Sequence, residues 1–395
     1  MSTVIRNVRI IDGTGSVIEN GFFAFDDNGI ISVSKEPISA DHEIDGTGKT
    51  IIPGLIDCHV HLGLLPTLDA ASIVESDTEA MTAIKAYTQG VEHFKYGITT
   101  VRNMGTKYDA DIYLRNLIRA KLAVGPRIVA SGRVIAITGG HGYAMAAECD
   151  STDEALKAAR EQIKKGADVI KMMATGGVLT PGSVPGAQQL SYEQMKAVAD
   201  EAKKTGRITG AHCIGYEGTK AAIMAGIDSI EHGYMLDDEL IEMMLEKGTY
   251  LCPTIIASRV IALTDDPSPI CAALKKKIAP IADLHLLALE RAVKAGVKIA
   301  AGTDCGTTWN PINGMSHELK YYVDAGMTEM QAIMSATKTA SELLRVDAIT
   351  GTLEKGKSAD FVVLNSNPLD EIENVRDVEC TYLEGKMVYN HRNDL

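Results

Sequence analysis

The sequence predicts an α/β fold: a (β/α)8 barrel with a small β-sandwich domain that is built from both chain termini. In the middle of the chain, short apolar runs alternate with longer helical segments. Both ends are instead rich in β-forming residues, broken by Gly, Asn and Asp. The length of 395 residues is enough for one large core and a smaller second module. We therefore expect a β-sandwich domain from residues 1–54 and 352–395, and a barrel domain from residues 55–351.

The terminal domain is predicted from short β-rich runs at both ends of the chain. Residues 1–50 contain TVIRNVRIID, GFFAFDD and GIISVS, and the last 45 residues contain ADFVVLNSN and VECTYLEGKMVYN. Such runs, separated by turn-forming residues, are typical of a small antiparallel sheet. Because both ends share this pattern around a different middle, we expect them to meet in one sheet domain.

The barrel is predicted from eight strand candidates, since it requires eight strand–helix units in roughly 300 residues. Helical segments such as DEALKAAREQIKKGA lie between them. A doubly wound open sheet is the alternative. It would normally carry a Gly-rich phosphate loop after its first strand, and the sequence has none there. The candidates are residues 55–61, 98–104, 127–134, 168–174, 207–213, 228–233, 249–255 and 298–305.

Charge and composition restrict the class of protein. The chain has 52 acidic and 39 basic residues, a formal net charge of −13, and its basic residues are scattered, which argues against a nucleic-acid partner. The N-terminal residues lack a secretory pattern, and no apolar run approaches the ~18 residues of a membrane span. We expect a cytoplasmic protein without membrane contact. The seven cysteines form no CxxC pair, and we expect reduced thiols in the core.

Residue types that bind metals stand at the ends of several predicted strands. In a barrel of this kind the active site lies at the C-terminal ends of the strands, so side chains there converge. Histidine and aspartate are ligands for borderline metals such as zinc. The residues are His59 and His61 on the first strand, Lys171 on the fourth, His212 on the fifth, His232 on the sixth and Asp304 on the eighth.

The pair His59 and His61 follows from strand alternation. Side chains at i and i+2 point to the same side of a strand, here the barrel axis. An isolated His-x-His in an apolar strand is more often a core or surface feature. The convergence of five strands on ligand residue types favours a metal site instead.

Lys171 needs a separate explanation, because a buried ammonium would repel a neighbouring divalent cation and lose its hydration. A neutral lysine can add CO2 to form a carbamate, an anionic ligand long enough to bridge two metal ions. The alternative is a lysine that pairs with a nearby carboxylate.

The motifs together resemble a known family. They are PGLIDCHVH, GITTVRNMG, TGGHG, ADVIKMMATGGV, GAHC, SIEHG, AGTDCG and GTLEKGKSADFVVLNSNPL, and they span nearly the whole chain. The sequence resembles the binuclear-metal branch of the amidohydrolase superfamily, and within it the imidazolonepropionase-like and Xaa-Pro dipeptidase (prolidase-like) group. It departs from the usual VRDMG at Asn103, which leaves the ligand positions intact but changes a neighbouring hydrogen-bonding group.

The resemblance implies two divalent metal ions, which we expect to be zinc, bridged by a hydroxide and by carboxylated Lys171. It assigns His59, His61 and Asp304 to the more buried ion, and His212 and His232 to the outer ion. The outer ion would polarise the substrate carbonyl, while Asp304 would move a proton from the attacking hydroxide to the leaving nitrogen.

Loops after the strands supply the remaining candidates. His141, in TGGHGYAM, is expected to help polarise the carbonyl; the alternative is a simple glycine turn with a solvated histidine. Two long segments, 176–191 and 258–277, are expected to act as lids. The candidates for holding substrate groups, for which ordinary loop packing is the alternative, are Tyr143, Tyr216, Arg102 and Trp309.

We therefore expect a metal-dependent hydrolase that cleaves the amide bond of a dipeptide or an N-acyl amino acid, with Xaa-Pro among the candidate substrates. The first alternative is hydrolysis of a cyclic amide, as in imidazolonepropionase, or of an aryl-amide, carbamate or ester xenobiotic. The second is a barrel that serves as a scaffold without catalysis. The expected partners are a small-molecule substrate and, by analogy, further copies of the chain in a homo-oligomer.

Overall fold

The computed structural model describes residues 1–391, so the last four residues of the predicted terminal domain, 392–395, lie outside the described residues. The strands are β1 (Thr3–Ile11), β2 (Val17–Asp26), β3 (Gly29–Ser34), β4 (His42–Asp45), β5 (Thr50–Pro53), β6 (Leu55–Val60), β7 (Ile98–Asn103), β8 (Arg127–Val129), β9 (Val134–Ala136), β10 (Ala146–Glu148), β11 (Val169–Met173), β12 (Ile208–Cys213), β13 (Ser229–His232), β14 (Tyr250–Cys252), β15 (Phe361–Leu364), β16 (Val378–Leu383) and β17 (Lys386–Asn390).

Helices fill the middle of the chain. The α-helices are α1 (Ala70–Ser76), α2 (Glu79–Glu92), α3 (Ala110–Arg119), α4 (Thr152–Lys165), α5 (Tyr192–Lys204), α6 (Tyr216–Ala225), α7 (Asp238–Lys247), α8 (Ile255–Leu263), α9 (Pro269–Ile278), α10 (Ala282–Ala295), α11 (Met315–Asp324), α12 (Glu329–Ser335) and α13 (Lys338–Leu344). Short 3-10 helices lie at His93–Tyr96, Lys107–Asp109, Tyr143–Met145, Ile312–Gly314 and Ile372–Arg376.

Local signals explain where the helices begin and end. At α4, the Ser151 hydroxyl accepts the backbone N–H of Glu154, and the Glu154 carboxylate accepts the backbone N–H of Ser151. The helix ends at Gly166, whose φ of 98° suits glycine. The described helices include none that is both long and apolar enough to cross a membrane.

Strands from both termini form one hydrogen-bonded sheet. Its order is β17-β16-β15-β5-β1-β2-β3, with β4 also paired to β1, and the antiparallel pairing of β5 with β15 joins the two ends of the chain. One feature differs from the antiparallel prediction: β1 pairs in parallel with β4 and β5. The reason is the connection 35–41, which carries the chain back to the end of the sheet where β1 begins.

This terminal sheet is strongly curled. The rings of Phe25 on β2 and Tyr382 on β16 lie 5.3 Å apart, although three strands separate β2 from β16 in the sheet order. In a flat sheet they would be roughly 19 Å apart, since neighbouring strands are spaced by about 4.8 Å. One face of the sheet therefore closes on itself around an apolar core, which includes Phe23, Phe361 and Val363.

The middle of the chain forms two parallel sheets with helices between successive strands. Their orders are β6-β7-β8 and β10-β9-β11-β12-β13-β14. The backbone N–H groups of Asp168 and Val169 donate to the Ala130 carbonyl, which links the end of β8 to the start of β11. On the opposite side, parallel bridges join Leu251 to Ile299 and Val60 to Cys305. Backbone hydrogen bonds therefore connect the two sheets on both sides.

Two strand predictions are corrected by the structure. Residues 298–305 form isolated bridges at Ile299 and Cys305 instead of a continuous strand, and Asp304 within this range has a φ of 59° that an extended strand does not allow. The range 127–134 is divided into β8 and β9 by a turn at Gly132, whose φ is 65°. Each of the other six predicted ranges contains a strand, and all seven cysteines are buried free thiols, as expected.

Candidate active site

The predicted ligand residues meet in one cavity at the C-terminal ends of the parallel strands. The cavity has a volume of about 120 Å³. Six of the predicted residues line it with buried side chains, and a seventh, His141, also lines it and is partly buried. The six buried ones are His59, His61, Lys171, His212, His232 and Asp304.

These side chains lie close enough to share bound ions. Oδ1 of Asp304 lies 3.2 Å from Nε2 of His61 and 3.5 Å from Nε2 of His59. These three residues offer ligand atoms within 4.8 Å of one another. The ring centroids of His212 and His232 are 4.5 Å apart, and that of His232 lies 5.0 Å from His59. The arrangement thus has two adjacent groups of nitrogen and oxygen donors, which suits divalent metals.

Left-handed backbone conformations aim two of these side chains. His232 has a φ of 69° and Asp304 a φ of 59°, in a region that non-glycine residues rarely adopt. His232 is the last residue of β13, and Asp304 lies near the end of the range 298–305, so each comes just before a loop. Backbone conformations of this kind cluster at functional sites, where the surrounding structure holds them.

Hydrogen bonds at Nδ1 fix the ring orientation of the first histidine pair. Nδ1 of His59 lies 2.7 Å from Oε2 of Glu231, and Nδ1 of His61 lies 3.3 Å from the Gly105 carbonyl. A carboxylate and a carbonyl only accept hydrogen bonds, so both Nδ1 atoms carry the proton. The Nε2 atoms of His59 and His61 therefore present lone pairs on the side that faces Asp304.

Threonine hydroxyls bind two further histidines. Nδ1 of His232 lies 2.6 Å from Oγ1 of Thr254, and Nδ1 of His141 lies 2.8 Å from Oγ1 of Thr180. The Thr180 oxygen also accepts the backbone N–H of Gly142 at 3.1 Å, so its own proton is available to donate to His141. That assignment places the ring proton of His141 on Nε2, where it can donate towards the cavity.

A test of metal fit comes from two buried nitrogen atoms. Nε2 of His59 and Nε2 of His212 are buried and have no hydrogen-bond partner among the described residues. A buried polar atom without a partner costs about 1–3 kcal/mol, and proteins rarely leave one. Bound divalent metal ions would satisfy these two nitrogen atoms, so the donor set fits a metal such as zinc.

Burial also shifts the pKa values of the site. It lowers the pKa of His59, His212 and His232 well below the usual range, and that of His141 to about 3. Burial likewise lowers the pKa of Lys171, although the carboxylates of Glu231 and Asp304 oppose this effect. Neutral imidazoles bind metals, and a neutral amine reacts with CO2.

Of the four candidate substrate residues, only Tyr143 lines the cavity, where its hydroxyl bonds to Glu75. Trp309 packs instead with an apolar cluster that contains Tyr234. Tyr216 is the first residue of α6, where its partly buried ring packs against the core and its hydroxyl donates to the carboxylate of Glu239.

Arg102 requires a correction, because it lies beneath the cavity rather than in a loop at its mouth. The side chain is completely buried on β7 and binds Glu231 and Ser229 on β13. A guanidinium enclosed in this way has no contact with the cavity, so a direct role in holding substrate does not fit its position.

Apolar walls enclose the cavity on two sides. One wall comes from the predicted lid 176–191, whereas the second predicted lid, 258–277, contributes only Ile261. The opposite wall includes α1, which the sequence did not indicate because a seven-residue helix has too few turns for a clear apolar period. The apolar lining residues include Leu64, Val74 and Met145 on one side, and Val178, Ile214, Tyr234 and Ile261 on the other.

Sequence reasoning also missed the residues that support the ligands. Asp57 lies on the same face of β6 as His59, so the alternation that identified the histidines could have identified it. Glu231 is a carboxylate inside the short buried strand β13, and a charge in such a strand is a signal of a specific partner. Thr254 and Thr180 carry no comparable sequence signal.

Comparisons with known proteins show which proteins the whole chain resembles. Residues 50–388 match the sequence pattern of the Amidohydrolase family. The chain is 31% identical to ochratoxinase of Aspergillus niger, over 94% of this chain and 82% of that protein. It is 23% identical to imidazolonepropionase of Caldanaerobacter subterraneus subsp. tengcongensis, over 89% and 86%. A solved Xaa-Pro dipeptidase with methionine bound in its active site superimposes with a TM-score of 0.90 and 34% identity, over 99% of this chain and 100% of that one.

Proposed function

Because the chain belongs to the amidohydrolase family, we propose that it is a metal-dependent hydrolase that cleaves the amide bond of a dipeptide or an N-acyl amino acid. The observation that carries this proposal is the set of six buried ligand-type side chains around one cavity. The likeness to an Xaa-Pro dipeptidase supports Xaa-Pro among the candidate substrates. Ochratoxinase, which the chain also resembles, is another hydrolase of this family.

We infer that the two parallel sheets close into one (β/α)8 barrel. Backbone hydrogen bonds between the two sheets on both sides support closure, with residues 298–305 in the place of the eighth strand. The curled terminal sheet supports a β-sandwich domain. Gly54 separates β5 of that sheet from β6 of the barrel, which supports the division into residues 1–54 with 352–391 and residues 55–351.

The proposed site holds two divalent metal ions, with zinc as the expected metal. Bound ions of this kind supply Lewis acidity, which polarises a carbonyl and lowers the pKa of a bound water towards neutrality. Lys171 would react with CO2 to give a carbamate and a proton, which converts a neutral amine into an anionic oxygen ligand. The residues proposed to hold the ions are His59, His61 and Asp304 on one side, His212 and His232 on the other, and Lys171 between them.

Two side chains of the chain itself take part in the proposed reaction, one by transferring a proton and the other by donating a hydrogen bond. Asp304 takes a proton from the attacking water and delivers it to the leaving nitrogen, so that the amine departs neutral. His141 donates an Nε2–H hydrogen bond to the substrate carbonyl and keeps its proton, because Thr180 occupies Nδ1 and burial keeps the ring neutral. Both groups border the same cavity.

Substrate shape follows from the cavity walls. Apolar side chains on both sides support a substrate with apolar groups flanking the scissile amide. The first alternative is hydrolysis of a cyclic amide, an aryl-amide, a carbamate or an ester. The second alternative is a non-catalytic scaffold.

The test is a substrate panel assayed with zinc-loaded protein. N-acyl amino acids and Xaa-Pro dipeptides with apolar side chains are compared with hydantoin-like rings and aryl carbamates. We expect turnover of the linear amides. Turnover of rings or carbamates alone would favour the first alternative, and a purified protein with less than about one equivalent of metal would favour the scaffold.

We also propose that the chain forms a homo-oligomer through the outer faces of α2 and α3. Met81, Ile84 and Tyr87 on α2, and Tyr113 and Leu117 on the neighbouring α3, are large apolar side chains that are exposed. Neighbouring apolar side chains of this kind mark association surfaces. We expect sedimentation velocity to show an assembly that the Ile84→Glu substitution dissociates, while Ile349→Glu, at another exposed position, leaves it intact.

A further inference from the structure

A buried ion pair lies directly beneath the candidate metal site. Nη2 of Arg102 lies 2.9 Å and 3.0 Å from the two carboxylate oxygens of Glu231, and both side chains are fully buried. Nη1 of Arg102 donates to the Ser229 hydroxyl at 2.8 Å, and its Nε donates to the Cys58 carbonyl. Removing two charges from water is costly and is repaid only when their hydrogen bonds are satisfied, as they are here.

The carboxylate of Glu231 also binds His59 and Ser229. Oε2 lies 2.7 Å from Nδ1 of His59, and Oε1 accepts the Ser229 hydroxyl at 2.5 Å. Because the carboxylate only accepts, the proton of the His59 ring stands on Nδ1. Nε2 is then a lone pair, buried and without a partner among the described residues, 3.5 Å from the Asp304 carboxylate.

We propose that Arg102 and Glu231 are positioning residues, which fix the tautomer and the ring direction of His59 for metal binding. Arg102 holds the carboxylate in place through two hydrogen bonds and balances its charge, so that a lone pair of Oε2 points at Nδ1. A histidine that donates Nδ1–H to a carboxylate is a better and more strictly oriented ligand through Nε2. This inference rests on the proposed metal site.

A purely structural role is the competing explanation. The pair joins three strands, since Cys58 lies on β6, Arg102 on β7 and Glu231 on β13. A structural brace predicts that loss of the pair lowers the free energy of unfolding and affects metal binding only through misfolding. A positioning role predicts a loss of metal affinity in a protein that is still folded.

The first experiment compares Glu231→Gln with wild-type protein. Zinc affinity is measured by competition with a chromophoric chelator, and ligand geometry by the visible spectrum of the cobalt-loaded protein. We expect a roughly 10–100-fold loss of zinc affinity and an altered cobalt spectrum. The matched control is Asp360→Asn, which breaks a second arginine–carboxylate pair outside the cavity, in which buried Asp360 lies 2.6 Å from partly buried Arg127. We expect wild-type zinc affinity in that control.

The double variant Arg102→Met with Glu231→Gln separates the two explanations, and it decides the case even if Glu231→Gln alone does not fold. Removing both charges leaves no unpaired buried ion, so stability recovers. Zinc affinity stays low, because His59 still lacks an anionic acceptor at Nδ1. Wild-type zinc affinity in either variant overturns the inference. Amide hydrolysis is assayed on the same samples: wild-type protein that binds zinc without cleaving any amide contradicts the proposed activity alone.

Discussion

Asp57 and Thr303 join the first parallel strand to the loop that carries Asp304. Oδ1 of Asp57 accepts the Thr303 backbone N–H at 3.0 Å, and Oδ2 accepts the Thr303 hydroxyl at 2.6 Å. Oδ1 also accepts the backbone N–H of His59 at 3.1 Å. The buried Asp57 carboxylate therefore holds the backbone of His59, which is a proposed ligand, and of Thr303, which precedes the proposed ligand Asp304.

The substitution Asp57→Asn should weaken the metal site. The amide N–H2 cannot accept the Thr303 hydroxyl proton as Oδ2 does, so this hydrogen bond must reverse its direction or be lost, at a cost of up to about 1–3 kcal/mol. We expect a lower free energy of unfolding, measured by urea denaturation, and weaker zinc binding. Asp12→Asn, in an exposed turn at Thr14, is the control. Unchanged zinc binding in Asp57→Asn would show that this carboxylate does not position the ligands.

The substitution Lys171→Ala should remove the bridging ligand. We expect elemental analysis to show the loss of at least one metal equivalent, with partial recovery when short carboxylic acids are added. Lys164→Ala, on the solvent side of α4, should retain full metal content. Full occupancy in Lys171→Ala would refute the bridge.

The substitution Asp304→Asn should act mainly on turnover. A neutral amide cannot take and return the proton, and general acid–base groups contribute about 10²–10⁴-fold. We expect a fall in kcat of that order, with a smaller change in the thermal midpoint. A variant with wild-type kcat would exclude Asp304 from proton transfer.

The donor role of His141 depends on Thr180. His141→Ala should reduce kcat by about 10²–10³-fold, because a hydrogen-bond donor to the developing oxyanion is lost. Thr180→Val should cause a smaller fall in kcat, since it frees the ring to rotate. If both variants were as active as wild type, other groups would have to polarise the carbonyl.

Stability should fall as the pH decreases from about 6.5 to 4. Burial lowers the pKa of His93 to about 4 from its usual 6.5, so the unfolded chain binds more protons in this range. Each buried histidine of this kind contributes up to about 1.4 kcal/mol per pH unit. We expect the unfolding free energy of metal-free His93→Gln to depend less steeply on pH than that of wild type. The exposed His42→Gln should retain the wild-type slope.

The sequence was most informative where a local rule operates. Alternation along a strand identified His59 and His61, because two side chains on one face need no knowledge of the rest of the fold. It could not show that Arg102 points beneath the ligands, since its partner Glu231 lies far away in sequence. The wall formed by α1 and the parallel pairing of β1 with β5 likewise depend on tertiary contacts rather than local pattern.

The pairing of β5 with β15 has a consequence for how the protein is made. A ribosome releases β5 long before it has synthesised β15, and β6 with His59 follows β5 after Gly54 alone. During most of translation, the edge of β5 that later pairs with β15 is therefore unpaired. Unpaired strand edges can pair with other chains. Yield of native protein should therefore depend on translation speed and on chaperones that shield this edge until the last strands emerge.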